Sequence, residues 1–592
     1  MFSANILLEQ ERIKKNISQR KLAKGICSHQ LLIKAVNSDT NIELLTFEIL
    51  LERVGRSPEY LEYVLSEKEY NDVITRDKID ELLYNRDFSS AEKLLLQYIP
   101  NIDSTNSTLR MYFYRIKAWL SVETGDYSSA KEYILQAIYT TLPGITLSNY
   151  KKYLFSLYEY ENILMLCKIL FLSEENQIAT SIIEALYVNV VSTISDQWLL
   201  VSILPKCAYL FSTFAQDQLT SEAIIDYCEK TIDLMRNEGT LYMMSPLITN
   251  LINQYRKIDA YEKISYWTPY RNAVNDLLSE YTPNLPQDSI YFHWKRASYN
   301  LDTEIIRAER LRLNLSQEDL AEGVFSATCS VSQLETKKHT PNKNSYSKLM
   351  SRVGIDKPRR SGFILTESFD RLDLFLEFKN AATKLDYKHI LSLIENNKPF
   401  LPHEEKMVSS YKYLALNALN LLDSTSTSLL ESDYDAFNRF LYKCISSDRK
   451  PFLEDIYAFT SCLLAKSKIE PALLSEAFIN ILKAHENSRI LPIHTYNSYA
   501  TTCINYISSL GKNLSAKTVN DTINSCIKLS ILTGNGHPLS EIFWAKTRAF
   551  HKRYAHDYET LYYAYIFASL YKKTTTEYIK SFLDYYYPEH DK

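Results

Sequence analysis

Apolar residues recur at helical spacing along most of the chain. Segments 182–191, 246–255, 411–422, 501–510 and 558–571 each read as amphipathic helices, with apolar residues on one face. A period near 3.6 residues is typical of such a helix, whereas strands alternate with a period of two. Glycine and proline, which interrupt helices, number only 11 and 17 among 592 residues. The pattern therefore predicts an all-α protein.

One stretch of this pattern occurs twice. Residues 11–25 return as residues 309–323, displaced by 298 residues and identical at eight positions. Two shorter landmarks return at a displacement of 299: Arg53-Val54-Gly55 as Arg352-Val353-Gly354, and Asp87-Phe88 as Asp386-Tyr387. Self-similarity at a near-constant displacement indicates duplication. We interpret the chain as two copies of a unit of about 295 residues, each a small head followed by a long helical body.

The second head is predicted to be a helix-turn-helix. Apolar spacing over 305–313 indicates its first helix, and Ser316 with Asp319 gives the second helix a capping-box-like start. Gly323 permits the tight turn that follows. A third helix is expected at about 328–337 from the same apolar spacing. The residues expected to face the interior are Leu320, Ala321, Val331 and Leu334.

These positions resemble the XRE class of lambda-repressor-like helix-turn-helix domains. The usual run of that family is S-Q-x-x-L-A, then S-x-[IL]-E, then a proline. This chain has Ser316-Gln317, Leu320-Ala321, Ser332-Gln333-Leu334-Glu335 and Pro341 at the corresponding places, with a fourth helix expected through 346–353. One extra residue near Ala327 departs from the family and could shift the recognition helix.

The resemblance implies that this head binds double-stranded DNA. Gln317 would hold a phosphate from the start of the second helix, while Thr328, Ser330 and Gln333 would face the major groove. Short hydroxyls and amides can meet base edges or phosphates without a steric clash. The candidate DNA-binding residues of the second head are Gln317, Thr328, Ser330, Ser332, Gln333, Lys337 and Lys338.

The first head keeps the first two helices of this pattern and departs from it in the third. That third helix is expected at 28–37, with Leu32 and Ala35 facing the interior. Ile33 and Val36 replace the family's Ser and Glu. These apolar residues leave three alternatives open: altered DNA specificity, loss of DNA reading, or packing against a neighbouring domain. The candidate DNA-binding residues of the first head are Gln19, Ser28, His29, Gln30 and Lys34.

Each body begins with a turn typical of tetratricopeptide (TPR) repeats. Asp87-Phe88 and Gly125-Asp126-Tyr127 each precede a helix with a small residue, Ala91 or Ala130, that lets a second helix approach. The two alanines are 39 residues apart, slightly more than the usual period. Asp386-Tyr387 is the weaker equivalent in the second body. Stacked helix pairs of this kind are expected to form a superhelix with a concave face.

A helix-turn-helix head joined to TPR-like helices is similar to the Rgg/PlcR (RRNPP) class of transcription regulators. The resemblance implies quorum sensing, in which a short peptide bound in the superhelix alters how the heads meet DNA. An asparagine within an amphipathic helix can hold a peptide backbone through both donor and acceptor, although each is also an ordinary packing or solvated residue. The candidate ligand-binding residues are Asn189, Asn250, Asn253, Asn417 and Asn505.

Charge, cysteine content and motifs limit the other functions. A net charge of −4 gives no bulk attraction to nucleic acid, so DNA contact is expected to be local. The nine cysteines include no Cys-x-x-Cys pair, which argues against a zinc site or a disulfide framework. No apolar run reaches membrane-spanning length and no signal peptide opens the chain. We expect a cytoplasmic protein without catalytic site, metal or cofactor.

The sequence thus predicts two heads and two bodies in one chain. The expected domains are 1–66 (divergent helix-turn-helix), 67–285 (TPR-like), 286–360 (linker and second helix-turn-helix) and 361–592 (TPR-like). The predicted function is a sequence-specific transcription regulator controlled by a peptide or protein ligand. The fused copies would form a pseudo-dimer within one chain, and a further homodimer is left open. The alternative is a TPR-like interaction scaffold whose heads no longer bind DNA.

Overall fold

The structure is a computed structural model. It describes residues 4–36, 42–58, 62–99, 106–281, 289–291, 298–301, 315–325, 329–336, 343–353, 368–383, 386–400, 515–532, 534–550 and 557–588, with single positions elsewhere. Almost all of the regular structure in these ranges is helical, so the predicted all-α fold class is confirmed. The exception is one pair of short strands.

The elements follow one another in the order of the two units. The first head contains α1 (Ala4–Lys14), α2 (Gln19–Ala23), α3 (His29–Val36) and α4 (Leu44–Arg53). After β1 (Glu62–Leu65) come α5 (Glu67–Tyr84), α6 (Phe88–Tyr98), α7 (Ser107–Glu123), α8 (Tyr127–Thr141), α9 (Leu157–Leu172), α10 (Asn176–Thr193), α11 (Gln197–Phe214), α12 (Ser221–Glu238), α13 (Met244–Lys257) and α14 (Tyr261–Tyr281). After β2 (Ser298–Leu301) come α15 (Gln317–Ala321), α16 (Cys329–Glu335), α17 (Lys343–Arg352), α18 (Phe369–Thr383), α19 (Tyr387–Asn396), α20 (Ala516–Leu532), α21 (Leu539–Phe550), α22 (Tyr558–Leu570) and α23 (Thr576–Tyr586).

Most of the predicted helices are present. Segments 182–191, 246–255 and 558–571 lie in α10, α13 and α22, respectively. Helix α22 ends at Leu570, one residue earlier than predicted. The described parts of the third helices, α3 and α16, lie within the predicted bounds of 28–37 and 328–337, and residues 37, 328 and 337 lie outside the described residues. Segments 411–422 and 501–510 lie almost wholly outside the described residues.

The same turn begins three helices of the bodies. Asp87, Asp126 and Asp386 cap α6, α8 and α19, and each accepts a hydrogen bond from the backbone N–H three residues later at 3.0–3.1 Å. Their φ angles agree within one degree and their ψ angles within six. Ala91 and Ala130 are fully buried, as predicted for positions where helices approach closely. A side chain that satisfies an orphan N–H stabilises a helix start, so the local sequence alone fixes these turns.

The strands β1 and β2 pair in parallel, and the sequence analysis did not predict them. Glu62 is opposite Ser298 and Leu65 is opposite Leu301. Tyr63 and Tyr299 stack across the pair, with ring centroids 5.8 Å apart. The Tyr299 hydroxyl donates a 2.7 Å hydrogen bond to Glu48 of α4. The strands therefore join the end of the first head to the segment that enters the second head.

The two heads differ in how their cores are built. In the described part of the chain, buried apolar residues form two clusters. The larger cluster begins at Leu7 in α1 and continues without a break into the bodies. The smaller cluster is confined to the second head and consists of Ile306, Leu320, Ala321, Val331, Leu334, Leu349, Met350 and Val353. The second head thus has a core of its own, and the first head does not.

A buried arginine fastens the first head to its body. Arg53, at the end of α4, forms an ion pair with Glu159 of α9, and both side chains are almost completely buried. Its guanidinium also donates to the carbonyl oxygens of Leu22 (3.1 Å), Lys24 (2.7 Å) and Thr141 (3.0 Å). Thr141 ends α8, where carbonyl groups lack partners within the helix and carry a partial negative charge. One side chain therefore bridges α2, α8 and α9.

The backbone at Gly25 makes this junction sterically possible. Gly25 has a φ of +77°, and a Cβ there would lie 2.1 Å from the Thr141 carbonyl oxygen. The Leu157 N–H also donates to the Glu52 carboxylate at 2.8 Å across the same junction. Packing against a neighbouring domain, one of the three alternatives for the first head, is therefore present in the structure.

The ends of the two bodies also meet. Thr240 and Asn535 form an antiparallel bridge, and the Tyr270 hydroxyl of α14 lies 2.8 Å from the Ser569 hydroxyl of α22. Two reciprocal hydrogen bonds flank the bridge: Leu241 N to Gly534 O at 2.7 Å, and Gly536 N to Gly239 O at 2.6 Å. This contact joins residues that are nearly 300 positions apart in the sequence.

We predict that Gly25→Ala is more destabilising than Gly125→Ala. Both glycines have a φ of +77°, but only Gly25 has an atom within 4 Å of the position that a Cβ would occupy. The shared backbone strain costs about 1 kcal/mol, and the added clash should raise the loss at Gly25 to about 3 kcal/mol. Urea unfolding of both variants measures the difference. Equal losses would show that the first head is not packed against Thr141.

We also predict that Glu48 makes stability fall as the pH rises. Burial raises the pKa of Glu48 to about 7, above its unfolded value, although the Tyr299 hydroxyl partly offsets this rise. The folded state therefore holds a proton that the unfolded state releases between pH 4.5 and 7. Stability should decline by up to about 3 kcal/mol across this window. Glu48→Gln should remove that part of the decline, and Glu67→Gln, at an exposed position, should not.

Candidate nucleic-acid interface

The start of the second head has the predicted local structure. Ser316 caps α15 by accepting a hydrogen bond from Asp319 N at 3.0 Å, and Asp319 accepts one from Ser316 N at 2.7 Å. Leu320 and Ala321 are buried, and Gly323 has a φ of +62°. The capping box and the glycine turn are therefore confirmed. Together they set the angle at which α15 leads into α16.

A cluster of three polar side chains holds α16 in place. Arg310, from the segment before α15, donates to Glu335 at 2.6 and 3.0 Å. Gln317, the first residue of α15, donates to the same carboxylate at 2.8 Å. The Arg310 guanidinium also donates to the Leu315 carbonyl at 2.8 Å. Arg310 donates two hydrogen bonds to one carboxylate, and such a bidentate pair is strongly directional. Both side chains are largely buried. The pair therefore fixes the orientation of α16.

The described candidate DNA-contacting residues of this head lie on α15 and α16. One of the two N–H groups of the Gln317 amide is used on Glu335, so the second can still donate to a phosphate. On α16, Gln333 is exposed, while Ser330 and Ser332 are half-buried. Val331 and Leu334 face the interior, as predicted. Thr328, Lys337 and Lys338 lie outside the described residues.

The first head has a different polar cluster. Its Arg12 pairs with Glu9 at 2.7 Å, one turn away on α1, and Gln19 donates to Glu9 at 3.1 Å. Val36 stands on α3 where the second head has Glu335, so the carboxylate has moved from the third helix to the first. Leu32 and Ala35 of α3 are fully buried. In this head, therefore, the contacts of Arg12 and Gln19 with Glu9 join α1 to the start of α2.

The outer face of α3 is accessible. Gln30 and Lys34 are exposed and His29 is half-buried. Ser28 is exposed and accepts a 3.1 Å hydrogen bond from Leu31 N at the helix start. Gln19 is half-buried against Glu9. The first head thus exposes some polar groups on its third helix but lacks the side-chain cluster that orients the third helix of the second head.

The arginine of the repeated Arg-Val-Gly run has two different environments. Arg352 donates to the carbonyl groups of Asp319 (2.6 Å) and Leu320 (3.3 Å), and Leu320 is the equivalent of Leu22, which Arg53 contacts. Arg352 is nevertheless exposed, whereas Arg53 is buried on Glu159. The shared role is to cap the second helix of each head. Attachment to the body is found for Arg53, and among the described residues Arg352 makes no such contact.

The candidate ligand-binding asparagines lie in helix contacts or outside the described residues. Asn189 is buried on α10 and accepts a 2.8 Å hydrogen bond from the Tyr160 hydroxyl of α9. Asn250 of α13 donates to two hydroxyls of α11, on Ser212 at 2.8 Å and Thr213 at 2.9 Å. Asn253 is exposed beside Arg256. Asn417 and Asn505 lie outside the described residues. Asn250 and Asn253 lie about one turn apart on α13, and Asn189 lies on a different helix, α10.

Sequence reasoning missed the carboxylate at the centre of each head. Glu335 belongs to the S-x-[IL]-E run, so its position was visible, but its partners Arg310 and Gln317 were not assigned to it. Glu9 has no counterpart in that run. A polar residue one turn before Arg12 was the only signal for it, and such pairs are common on exposed helix faces.

Comparison with known proteins gives little further guidance. No family model matches the sequence, and no curated protein matches it. Among solved structures, Bacillus thuringiensis PlcR in complex with the peptide PapR7 and DNA is similar at 12% identity and a TM-score of 0.27. That alignment covers 46% of this chain and 98% of PlcR. No described helix is both long and apolar enough to span a membrane.

We predict that Glu335→Ala loosens α16 without unfolding the bodies. Removing the carboxylate leaves Arg310 buried without its partner, which typically costs about 3 kcal/mol. The amide protons of α16 and α17 should then exchange faster, while those of α7 and α8 keep their protection. Glu318→Ala is the control, because Glu318 is exposed on α15. Unchanged exchange in α16 would contradict a role for Glu335 in holding this helix.

Proposed function

We propose that the chain is a sequence-specific DNA-binding transcription regulator whose second head is the main DNA reader. The observation that carries this proposal is the cluster of Arg310, Gln317 and Glu335, which orients α16. In this proposal, Gln317 holds a phosphate from the start of α15 and Gln333 faces the base edges. The separate core of this head supports the proposal, since it lets the head fit against a duplex as a unit.

The first head is proposed to be mainly structural. Its core is continuous with the body, and Arg53 is buried on Glu159. A head fixed in this way cannot change its orientation relative to the body in order to fit against a DNA duplex. Its α3 also lacks the carboxylate that would link it to Arg12. A DNA site read chiefly through residues 316–338 is therefore expected to be asymmetric.

The two units are proposed to form a pseudo-dimer within one chain. The support is that the bridged residues Thr240 and Asn535 are displaced by 295 residues, close to the displacement of 298–299 residues between the repeated motifs. Segments at nearly equivalent places in the two units therefore pair with each other, as they do in an isologous interface, where one surface contacts its own copy. One polypeptide would then contain both halves of an interface that two separate subunits form in an ordinary dimer.

Control by a peptide or protein ligand is proposed for the helical bodies. The supporting observations are the repeated Asp-capped turns and the buried alanines, which fit stacked helix pairs. Stacked pairs present an extended surface of the kind that binds peptides. The described asparagines contribute less to this proposal, because Asn189 and Asn250 hydrogen-bond to neighbouring helices.

Selection of genomic DNA tests the proposed function directly. The full chain would be mixed with sheared DNA of its host at near-physiological salt, and the retained fragments sequenced. Enrichment of a few discrete asymmetric sites is the expected result. Affinity for such a site should fall steeply with salt, because phosphate contacts release counterions. No enrichment, with or without cell extract as a source of ligand, would favour the interaction scaffold.

We predict unequal effects of two glutamine substitutions on a site found in this way. Gln333→Ala should raise the Kd about tenfold or more, because an amide that pairs with a base contributes about 1–3 kcal/mol of discrimination. Gln30→Ala, in the first head, should change it less than about twofold, since a residue outside the interface contributes little. Fluorescence anisotropy with the full chain measures both. Loss of binding in Gln30→Ala alone would assign DNA reading to the first head.

A further inference from the structure

The first helices of successive helix pairs in the first body, α7, α9, α11 and α13, are neighbours in one layer. Arg115 of α7 donates to Glu161 of α9 at 2.9 Å, and Lys206 of α11 pairs with the same carboxylate. Asn250 of α13 donates to Ser212 of α11 at 2.8 Å. The second helices α8, α10 and α12 lie between them in the sequence. Stacked helix pairs present an extended face of this kind to their binding partners.

One aromatic side chain from the segment between α14 and β2 is buried against this layer. The Tyr291 ring contacts the Trp119 ring of α7, with the two centroids 4.7 Å apart. The ammonium group of Lys168 on α9 lies over the same ring, 4.6 Å from its centroid. The Tyr84 hydroxyl, at the end of α5, donates to the Tyr291 carbonyl at 3.3 Å. Only 2% of Tyr291 is exposed, so it fills a site formed by α5, α7 and α9.

The described parts of this segment contact the first body in a regular order. The segment follows Tyr281, the last residue of α14. The Tyr242 hydroxyl, just before α13, donates to the Ser289 carbonyl. The Tyr291 ring then lies on α9 and α7, and β2 pairs with β1, which precedes α5. The segment therefore meets the helix pairs in reverse order, and its backbone carbonyl groups accept hydrogen bonds from the body as those of a bound peptide do.

The site does not satisfy every polar group of Tyr291. Its hydroxyl is buried and has no hydrogen-bond partner among the described residues. A buried donor without an acceptor is rare and destabilising. The segment is therefore held less tightly than it would be with phenylalanine at this position. An imperfect fit of this kind favours exchange of the segment for another ligand.

We propose that residues 289–291 are an intramolecular ligand of the first body, and that a peptide from outside the chain with an aliphatic residue directly before an aromatic one binds the same site. Ile290 and Tyr291 are both buried and belong to the apolar cluster that runs through the first body. Burial of two such side chains supplies the affinity, and the hydrogen bonds to the carbonyl groups orient the backbone. The site and its ligand class deepen the proposed function, and only their effect on DNA reading rests on it. Because the segment continues through β2 to the second head, a peptide that displaces it would remove one attachment of the second head to the first body.

An attached ligand is displaced only by a high concentration of free peptide. A ligand on a short connection has an effective concentration of about 1 mM at its site. A free peptide with a Kd of about 10 µM for the empty site would therefore bind the intact chain about a hundredfold more weakly. The expected observable is thus a difference in peptide affinity between the unmodified chain and a chain whose site has been emptied.

Fluorescence anisotropy with the full chain, without DNA, tests the proposal. The probe is a labelled synthetic peptide of residues 286–295, and the control peptide has alanine at the position of Tyr291. The double substitution Ile290→Ala with Tyr291→Ala empties the site. We expect the probe to bind this variant with a Kd of about 10 µM and the unmodified chain about a hundredfold more weakly. The control peptide should bind the emptied variant at least tenfold more weakly than the probe, because the aromatic contact is missing.

Further variants locate the site. In the emptied chain, Trp119→Ala should weaken binding of the probe at least tenfold, because the ring that contacts the tyrosine is lost. Tyr139→Ala is the matched control, because Tyr139 is an exposed aromatic residue on α8, a second helix, and it should leave binding unchanged. Tyr291→Phe in the otherwise unmodified chain should still exclude the probe and should raise the thermal midpoint, since it removes only the hydroxyl without a partner.

Four results would overturn the proposal. Equal affinity of the probe for the unmodified and emptied chains would show that residues 289–291 do not occupy the site. Absence of saturable binding to the emptied chain below about 1 mM would show that no outside peptide binds there. Equal binding of the probe and the control peptide would remove the role of the aromatic residue. Loss of amide protection in α7 and α9 of the emptied chain would show that residues 289–291 are part of the folded core and not a ligand. The DNA-selection result is independent of all four, because no DNA is present.

Discussion

The position of the first head depends on the burial of Arg53. A guanidinium group cannot lose its charge in a protein, so it can be buried only where a carboxylate and hydrogen-bond acceptors surround it. Glu159 and three carbonyl groups meet that requirement, and they belong to α2, its following turn, α8 and α9. Any displacement of the head would leave a buried charge without its partner. The continuous apolar core and the close approach of Gly25 to Thr141 both follow from this fixed position.

The same repeated motif allows the second head a different role. Arg352 keeps the contact with the end of α15 but remains exposed. Its head is stabilised instead by its own apolar core and by the pair of Arg310 with Glu335. In this head, whose Arg352 is not buried on the body, the polar cluster includes Glu335 of the third helix, α16. In the first head Glu9 takes the carboxylate role on α1, and α3 lies outside the cluster.

The features that could be predicted from the sequence are those that depend on short stretches of the chain. The capped start of α15, the turns before α6, α8 and α19, and the buried positions Leu32, Ala35, Val331 and Leu334 follow from helical spacing and local side-chain chemistry. Contacts between distant residues were not predictable in this way. Arg53 and Glu159 are 106 residues apart, and β1 pairs with a strand beyond the first body.

The fusion of two copies that the repeated motifs predict would allow such unequal heads to coexist. In a dimer of identical chains, a substitution that favours attachment to the body appears in both heads and affects DNA reading by both. In a fused pair, each head has its own residues, so Val36 and Glu335 can differ at equivalent positions. Glu335 gives α16 a directional contact, whereas Val36 leaves α3 to be held by packing. On the proposed function, loss of symmetry would let one head specialise in attachment to the body and the other in DNA recognition, because the two tasks would not compete for the same sequence position.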